Sequence, residues 1–152
     1  MLLSRDALLD IEAEPFSDRV FRLLAFLSRR GINVLLTAPE PDHWVPTRGS
    51  VDDALDSQGK LQNRVHEAGG EIEGVYYVPR SLFTQDRNRE GALRDILQRY
   101  GLTPEQSMLV SASVPFLKAA SRLGIQTHEI TASGQEKSNL LNKLEQLSQD
   151  LL

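Results

Sequence analysis

Residues 91–130 read GALRDILQRYGLTPEQSMLVSASVPFLKAASRLGIQTHEI, and this stretch decides the fold class. Two segments with apolar residues at helical spacing alternate in it with two short, strand-like apolar runs. In chain order these are Gly91–Tyr100, Met108–Val110, Val114–Leu123 and Ile125–Ile130. A glycine ends each helix, as is common at helix C-termini. Helix, strand, helix and strand in this order predict a mainly parallel sheet with helices on both faces.

The same alternation extends toward the N-terminus. Strands are predicted at Met1–Ser4, Ile32–Leu36 and Glu73–Val78, and helices at Phe16–Arg30 and Val51–Ala68. The segments 38–50 and 80–88 are polar or proline-rich and show no periodicity, which is typical of loops. We therefore predict an α/β fold, a three-layer sandwich with a mainly parallel central sheet, in a single domain over residues 1–152.

The last residues, from about 135 to 152, predict a C-terminal helix. Its leucines recur at spacings of four, three and four: Leu140, Leu144, Leu147 and Leu151. One interpretation is a terminal helix that docks this apolar stripe on the sheet. The other is a helix that binds a partner or a second copy of the chain, although two turns of leucine are too few to specify a coiled coil.

The composition excludes several classes of function. Hydrophobic residues make up 40% and charged residues 25%, as in soluble globular proteins. The formal charge of -4 argues against a general nucleic-acid or membrane-surface binder. The absence of cysteine excludes disulfides, thiolate zinc sites and a thiolate nucleophile. We expect a cytoplasmic protein with no nucleic-acid partner and no membrane association.

In parallel sheets, ligands bind beyond the carboxyl ends of the strands. The loops that follow the predicted strands begin with Ser4-Arg5-Asp6, with Thr37, with Pro79 and with Ser111-Ala112-Ser113. These four segments are therefore the candidate site.

The same segments resemble the haloacid dehalogenase-like phosphatases, in the small capless branch that includes the heptose bisphosphate and histidinol phosphate phosphatases. The resemblance is in order, spacing and apolar pattern, and it spans roughly residues 1–130. The stretches that carry it are LLSRDALLD (2–10), NVLLTAPE (33–40), EGVYYVP (73–79) and RNREGALRDILQRYGLTPEQSMLVSAS (87–113). It implies a Rossmann-like fold without a large cap domain.

The resemblance also implies roles for particular positions. Ser4 falls where the family has its nucleophilic aspartate, and Asp6 where it has its general acid/base aspartate. Thr37 falls at the hydroxyl residue that binds the transferred phosphate. Arg87 falls at the phosphate-binding lysine. Thr37 and Arg87 are therefore the phosphate-binding candidates.

Two of the family's metal-binding aspartates fall at Ala112 and Phe116, with Ser111 at the preceding glycine. Magnesium requires oxygen ligands, usually including carboxylates. Because Ser4, Ala112 and Phe116 carry none, we expect no metal and no other cofactor. Without the metal, the charge neutralisation that phosphoryl transfer depends on is missing.

Each retained residue has a simpler interpretation. Asp6 is either a remaining site residue or a cap of a turn. Thr37 either contacts phosphate or bonds the loop backbone, and Arg87 either binds an anion or lies in a solvated charged loop. Glu40 and Asp42 are either substitute metal ligands or part of a generic acidic loop.

His43 and Trp44 lie in the same long loop. They either stack on a ligand or anchor the loop. Ser111 and Ser113 are most simply small turn residues.

Three functions follow. The first is a catalytically degenerate phosphatase-fold protein that acts in binding or assembly, with an unknown protein partner or a phosphorylated small molecule. The second is a divergent phosphomonoester hydrolase that assembles a magnesium site from Asp6 and either Glu40 or Asp42, with Arg87. The third is a sensor of a phosphorylated metabolite. Oligomeric state and substrate are not assigned by the sequence.

Overall fold

The computed structural model of the chain describes residues 1–8, 11–39, 48–78, 85–130 and 136–152. The strands in these ranges form one sheet: β1 (Leu2–Ser4), β2 (Leu35–Pro39), β3 (Gly74–Val78), β4 (Met108–Ser111) and β5 (Gln126–Glu129). Their order is β3-β2-β1-β4-β5, and each neighbouring pair is parallel. The predicted α/β fold with a mainly parallel sheet is confirmed.

Over the same ranges, five α-helices accompany the sheet: α1 (Ser17–Arg29), α2 (Arg48–Glu67), α3 (Gln85–Tyr100), α4 (Val114–Arg122) and α5 (Glu136–Asp150). Short 3-10 helices lie at Arg5–Ala7, Ile11–Ala13 and Pro104–Gln106. Among the described helices, none combines the length and apolarity that a bilayer-spanning segment needs.

Successive side chains of a strand point to opposite faces of the sheet. On one face, the strand residues pack with α1, α2 and α5, and they are Leu3, Leu36 and Val110. On the other face, the strand residues pack with α3 and α4, and they are Leu2, Leu35 and Leu109. The two apolar clusters make the sheet the middle layer of a three-layer sandwich, as predicted.

The helix α5 packs along α1. Its side chains Leu140 and Leu144 are fully buried in the cluster that contains Leu3 and Val110. Arg19 of α1 forms an ion pair with Glu145 at 2.7 Å. The central leucines of the stripe are therefore occupied by contacts within the chain.

Three elements have a boundary that differs from the prediction by three residues or more. Helix α2 begins at Arg48 and helix α3 at Gln85, so residues 48–50 and 85–88 are helical and not loop. The missed residues, 48–50 and 85–88, carry no apolar side chain that would reveal the helical period. Strand β2 spans Leu35–Pro39 instead of Ile32–Leu36, because its register begins where Leu35 meets Leu2 of the short β1.

Candidate functional site

The strand order places a topological switch point between β1 and β4. The chain continues from β1 toward β2 and β3 on one side, and β4 and β5 lie on the other. At such a point the connections diverge, which leaves a crevice outside the carboxyl ends of the two strands. The crevice is therefore bordered by Ser4 at the end of β1 and by Ser111 at the end of β4.

Hydroxyl side chains lie at the same level of the three central strands: Ser4 ends β1, Ser111 ends β4, and Thr37 is the middle residue of β2, in register with Ser4. Each lies two residues after a leucine of the α3/α4 cluster, and so on the same sheet face: Ser4, Thr37 and Ser111. Ser4 pairs directly with Thr37 in the register of β1 and β2. Thr37 and Ser111 are buried, with 2% and 1% of their surface exposed, and Ser4 is half-buried. We call these three residues the hydroxyl row.

The turn after β4 is held by a serine. The Oγ of Ser111 accepts a hydrogen bond of 3.1 Å from the backbone N–H of Ser113. Ala112 is half-exposed within this turn, and α4 begins at Val114 directly after it. Ser111 thus acts in the turn, and its hydroxyl hydrogen is free to donate toward a ligand, since the backbone bond uses the oxygen as acceptor.

Phe116 lies in the first turn of α4. Only 7% of its surface is exposed, and it belongs to the apolar cluster of the α3/α4 face. Leu93 and Ile96 of α3 are fully buried members of that cluster. An aromatic ring among aliphatic neighbours offers no oxygen ligand, so this position contributes packing.

The three positions that the resemblance implies as metal ligands do not fit a magnesium ion. The positions implied as ligands carry a hydroxyl, a methyl group and a buried ring: Ser4, Ala112 and Phe116. Within the described ranges, no three acidic or histidine side chains cluster in a way that would hold a metal. The Asp6 side chain, Glu40 and Asp42 lie outside the described residues, as do His43 and Trp44. We therefore derive no chemical step through a metal.

His128 lies on a strand next to the crevice, but its side chain is on the opposite face of the sheet from Ser111. His128 of β5 pairs with Val110, one residue before the pair Ser111 and Glu129. Val110 belongs to the α1/α5 cluster, so His128 shares the face opposite to Ser111. An imidazole on that face cannot serve as general base for the Ser111 hydroxyl, which needs it within hydrogen-bond reach.

The environment of His128 predicts a pH-dependent stability. Burial, together with the positive charge of Lys143 on α5, lowers the pKa of His128 below its ordinary value of 6.5. The unfolded chain therefore binds this proton more readily than the folded chain. The stability that depends on neutral His128 is complete above pH 6.5 and is lost as the pH falls below that value.

We expect His128→Gln to reduce this loss. The measurement is the free energy of unfolding in urea at about pH 7.5 and about pH 5.5, for the parent and the variant. The parent should lose more stability than His128→Gln over this interval. Equal losses would show that His128 is protonated to the same extent in the folded and unfolded chains.

The predicted phosphate residue Arg87 lies apart from the hydroxyl row. It is an exposed residue in the first turn of α3 and lines an open groove of about 560 Å³. Tyr76 of β3 lines the same groove and is the register partner of Thr37, but Ser4, Thr37 and Ser111 do not line it. The two phosphate-binding candidates, Thr37 and Arg87, therefore do not line this groove together.

Two residues near the crevice were missed from the sequence. Glu129 is exposed at the end of β5 and pairs with Ser111, so its carboxylate is on the sheet face of the hydroxyl row. Tyr76 donates a hydrogen bond of 2.6 Å to Asp95 of α3. Burial, then this hydrogen bond, raises the pKa of Tyr76 to about 12. A charged residue at a strand end was the available signal for Glu129, whereas Tyr76 is the middle residue of β3 and no local pattern marks it.

Comparisons with known proteins give a fold. Neither a protein-family model nor a curated protein matches the chain. A crystal structure of D,D-heptose 1,7-bisphosphate phosphatase from B. bronchiseptica, complexed with magnesium and phosphate, superposes with a TM-score of 0.70 at 19% sequence identity. The match covers 99% of this chain and 98% of that one.

A second similar structure is an uncharacterized protein from Corynebacterium glutamicum, with a TM-score of 0.59 and 14% identity. It covers 95% of this chain and 93% of that chain. Both superpositions extend over nearly the whole of each chain, and at these identities they concern the fold. The chain has the fold of the haloacid dehalogenase-like phosphatases.

Proposed function

We propose that this chain is a catalytically degenerate phosphatase-fold protein that binds a phosphorylated group without hydrolysing it and acts in binding or assembly. The observation that carries the proposal is the hydroxyl row, in which Ser4 and Ser111 end the two strands that border the crevice and Thr37 of β2 pairs with Ser4. Hydroxyl hydrogens donate to phosphate oxygens. The ligand is a phosphorylated small molecule or a phosphorylated partner.

The surroundings of the hydroxyl row favour binding of a phosphate group over its hydrolysis. A serine hydroxyl becomes a nucleophile only with a base in hydrogen-bond reach, and His128 lies on the other face of the sheet. Phosphoryl transfer also needs a positive charge beside the transferred group, to neutralise the negative charge of that group. A metal ion would supply this charge, but Ser4 and Ala112 offer no carboxylate to bind one. The hydroxyls retain the capacity to recognise phosphate without these parts.

The first experiment measures hydrolysis and binding on one panel. We expect no release of phosphate from p-nitrophenyl phosphate or from sugar phosphates in the presence of magnesium. We also expect at least one phosphate ester to raise the melting temperature. At a ligand concentration of about 100 times the Kd, binding adds about 2.7 kcal/mol to the stability, which corresponds to a shift of several degrees.

Thr37→Val tests whether the row is the site. Valine matches threonine in shape but lacks the hydroxyl, so the variant should fold and the ligand-induced shift should disappear. Thr127→Val is the matched control, because Thr127 pairs with Leu109 and lies on the same sheet face one row further from the carboxyl end. This control should keep the full shift.

Two results would contradict the proposal. Magnesium-dependent hydrolysis that is lost in Asp6→Asn or Glu129→Gln would identify a divergent phosphomonoester hydrolase instead. A ligand-induced shift that survives in Thr37→Val would place the phosphate elsewhere.

A further inference from the structure

One face of α3 lines the open groove of about 560 Å³ beside β3. Arg87, Gly91 and Arg94 follow one another along this face at spacings of four and three residues. Residues at these spacings lie on the same side of a helix. Both arginines are exposed. The groove thus presents two guanidinium groups to solvent in a chain whose formal charge is -4.

The acidic residues that line the groove are engaged by cations. Glu90 accepts a hydrogen bond of 2.6 Å from Arg122 of α4. Asp95 accepts from the Tyr76 hydroxyl at 2.6 Å and forms an ion pair with Arg99 at 3.2 Å. Arg122 and Arg99 do not themselves line the groove. Arginines outside the groove therefore offset the negative charge of Glu90 and Asp95.

The two arginines that line the groove, in contrast to its acidic residues, lack ion-pair partners within the described ranges. In the part of the chain that the structure describes, Arg87 and Arg94 have no ion pair or hydrogen bond through their side chains. They are seven positions apart in sequence, which corresponds to a rise of about 10.5 Å along a helix axis. Gly91 lies between them, and a Cβ atom added there would meet nothing within 4 Å. The helix backbone is therefore accessible between two arginines that have no ion-pair partner among the described residues.

We infer that this groove is an anion-binding site for a small molecule that carries two oxyanion groups, phosphate or carboxylate, one at each arginine. Guanidinium groups bind such oxyanions through paired hydrogen bonds. The separation of the two arginines selects a ligand with two anionic groups over one with a single group. Because the groove does not include Ser4, Thr37 or Ser111, the inference does not depend on the proposed function.

The test uses the full chain and inorganic tripolyphosphate as the probe, with citrate as the carboxylate counterpart and inorganic phosphate as the single oxyanion. Isothermal titration calorimetry should show that one of the two extended anions binds at least tenfold more tightly than inorganic phosphate. Arg87→Gln and Arg94→Gln should each lower that affinity about tenfold, since each removes charge-assisted hydrogen bonds. Raising the salt concentration should weaken binding further.

Gly91→Leu tests the groove without changing its charge. Leucine favours a helix over glycine, so the variant should melt at a higher temperature than the parent while it fills the space between the arginines. Binding should then be lost although the fold is more stable. Gly59→Ala in α2, where the added Cβ also meets nothing within 4 Å, should keep full affinity.

Arg22→Gln is the charge control, because Arg22 is an exposed arginine of α1, away from the groove. An equal loss of affinity in Arg22→Gln and Arg94→Gln would overturn the inference in favour of general charge attraction. Unchanged affinity in Gly91→Leu would also overturn it. Thr37→Val should leave tripolyphosphate binding intact, so failure here and failure of the proposed function are separate results.

Discussion

We expect Gly70→Ala to be the most destabilising glycine-to-alanine substitution within the residues that the structure describes. Gly70 is buried just after α2, and a Cβ atom there would lie 2.3 Å from the Cα of Ala25 and 2.8 Å from its Cβ. The obstructing atoms belong to the backbone of α1, so no side-chain rotation can relieve the clash. Helix α1 has to move away from the segment that follows α2.

The cost of that movement follows from what it separates. Around this close approach, Arg29 donates from its Nη1 to the carbonyl oxygens of Ala68 and Gly69, at 3.0 Å each. The N–H of Glu71 donates to the Ser28 Oγ at 3.0 Å. Overpacking in a dense interior costs about 1–3 kcal/mol, and more where backbone has to shift, so we expect a loss of at least about 3 kcal/mol.

Urea unfolding of the purified variant measures the loss directly. Gly59→Ala is the matched control, because it adds the same methyl group to α2 in open space and should increase stability by up to about 1 kcal/mol. The double variant with Ala25→Gly should recover part of the loss, since it removes the Ala25 methyl group from the clash while the backbone of α1 still obstructs. A loss below about 1 kcal/mol in Gly70→Ala would mean that α1 and this segment are not packed so closely.

The fold could be predicted from the sequence because its signals are local. Glycines that end helices were recognisable as such, and Gly31, Gly101 and Gly124 have φ values of +85°, +61° and +84°. In this left-handed region a glycine is favoured over other residues. The short apolar runs between these helices indicated the parallel sheet. The starts of α2 and α3 were missed because residues 48–50 and 85–88 carry no apolar side chain.

The site could be predicted only in part. The rule for parallel sheets led to Ser4, Thr37 and Ser111 from the strand ends alone. Glu129 was not predicted, since its proximity to Ser111 depends on the register between β4 and β5. Whether the Arg94 side chain finds an ion-pair partner depends on contacts among α3, β3 and α4. Such contacts join residues far apart in sequence, and no local pattern encodes them.

Phe116→Asp is the second large effect that we expect, and it bears on the proposed function. The substitution places a carboxylate where 7% of the parent side chain is exposed and where the neighbours are aliphatic. It removes the packing of the aromatic ring, which costs about 3–5 kcal/mol in a core. It also buries a charge without a partner, so the carboxyl pKa should rise until the group is neutral.

Ala112→Asp gives the contrast, because Ala112 is half-exposed in the turn between β4 and α4. A charge at this position stays in contact with water and should change the stability by less than about 1 kcal/mol. Phe116→Leu keeps an apolar side chain and should cost less than about 1.5 kcal/mol. The three variants differ in polarity and burial, so their order in urea separates the loss of packing from the burial of charge.

The expected order of stability is parent, Ala112→Asp, Phe116→Leu and, well below these, Phe116→Asp. If position 116 is a core position, magnesium should not raise the melting temperature of Phe116→Asp, even when Ser4→Asp and Ala112→Asp are added. A Phe116→Asp chain that is as stable as the parent and gains stability from magnesium would show that this side chain faces the crevice. The crevice would then hold a metal once carboxylates replace Ser4, Ala112 and Phe116, and the proposed loss of catalysis would rest on those three side chains. Burial of Phe116, with 7% of its surface exposed, means instead that restoring a ligand there costs the fold.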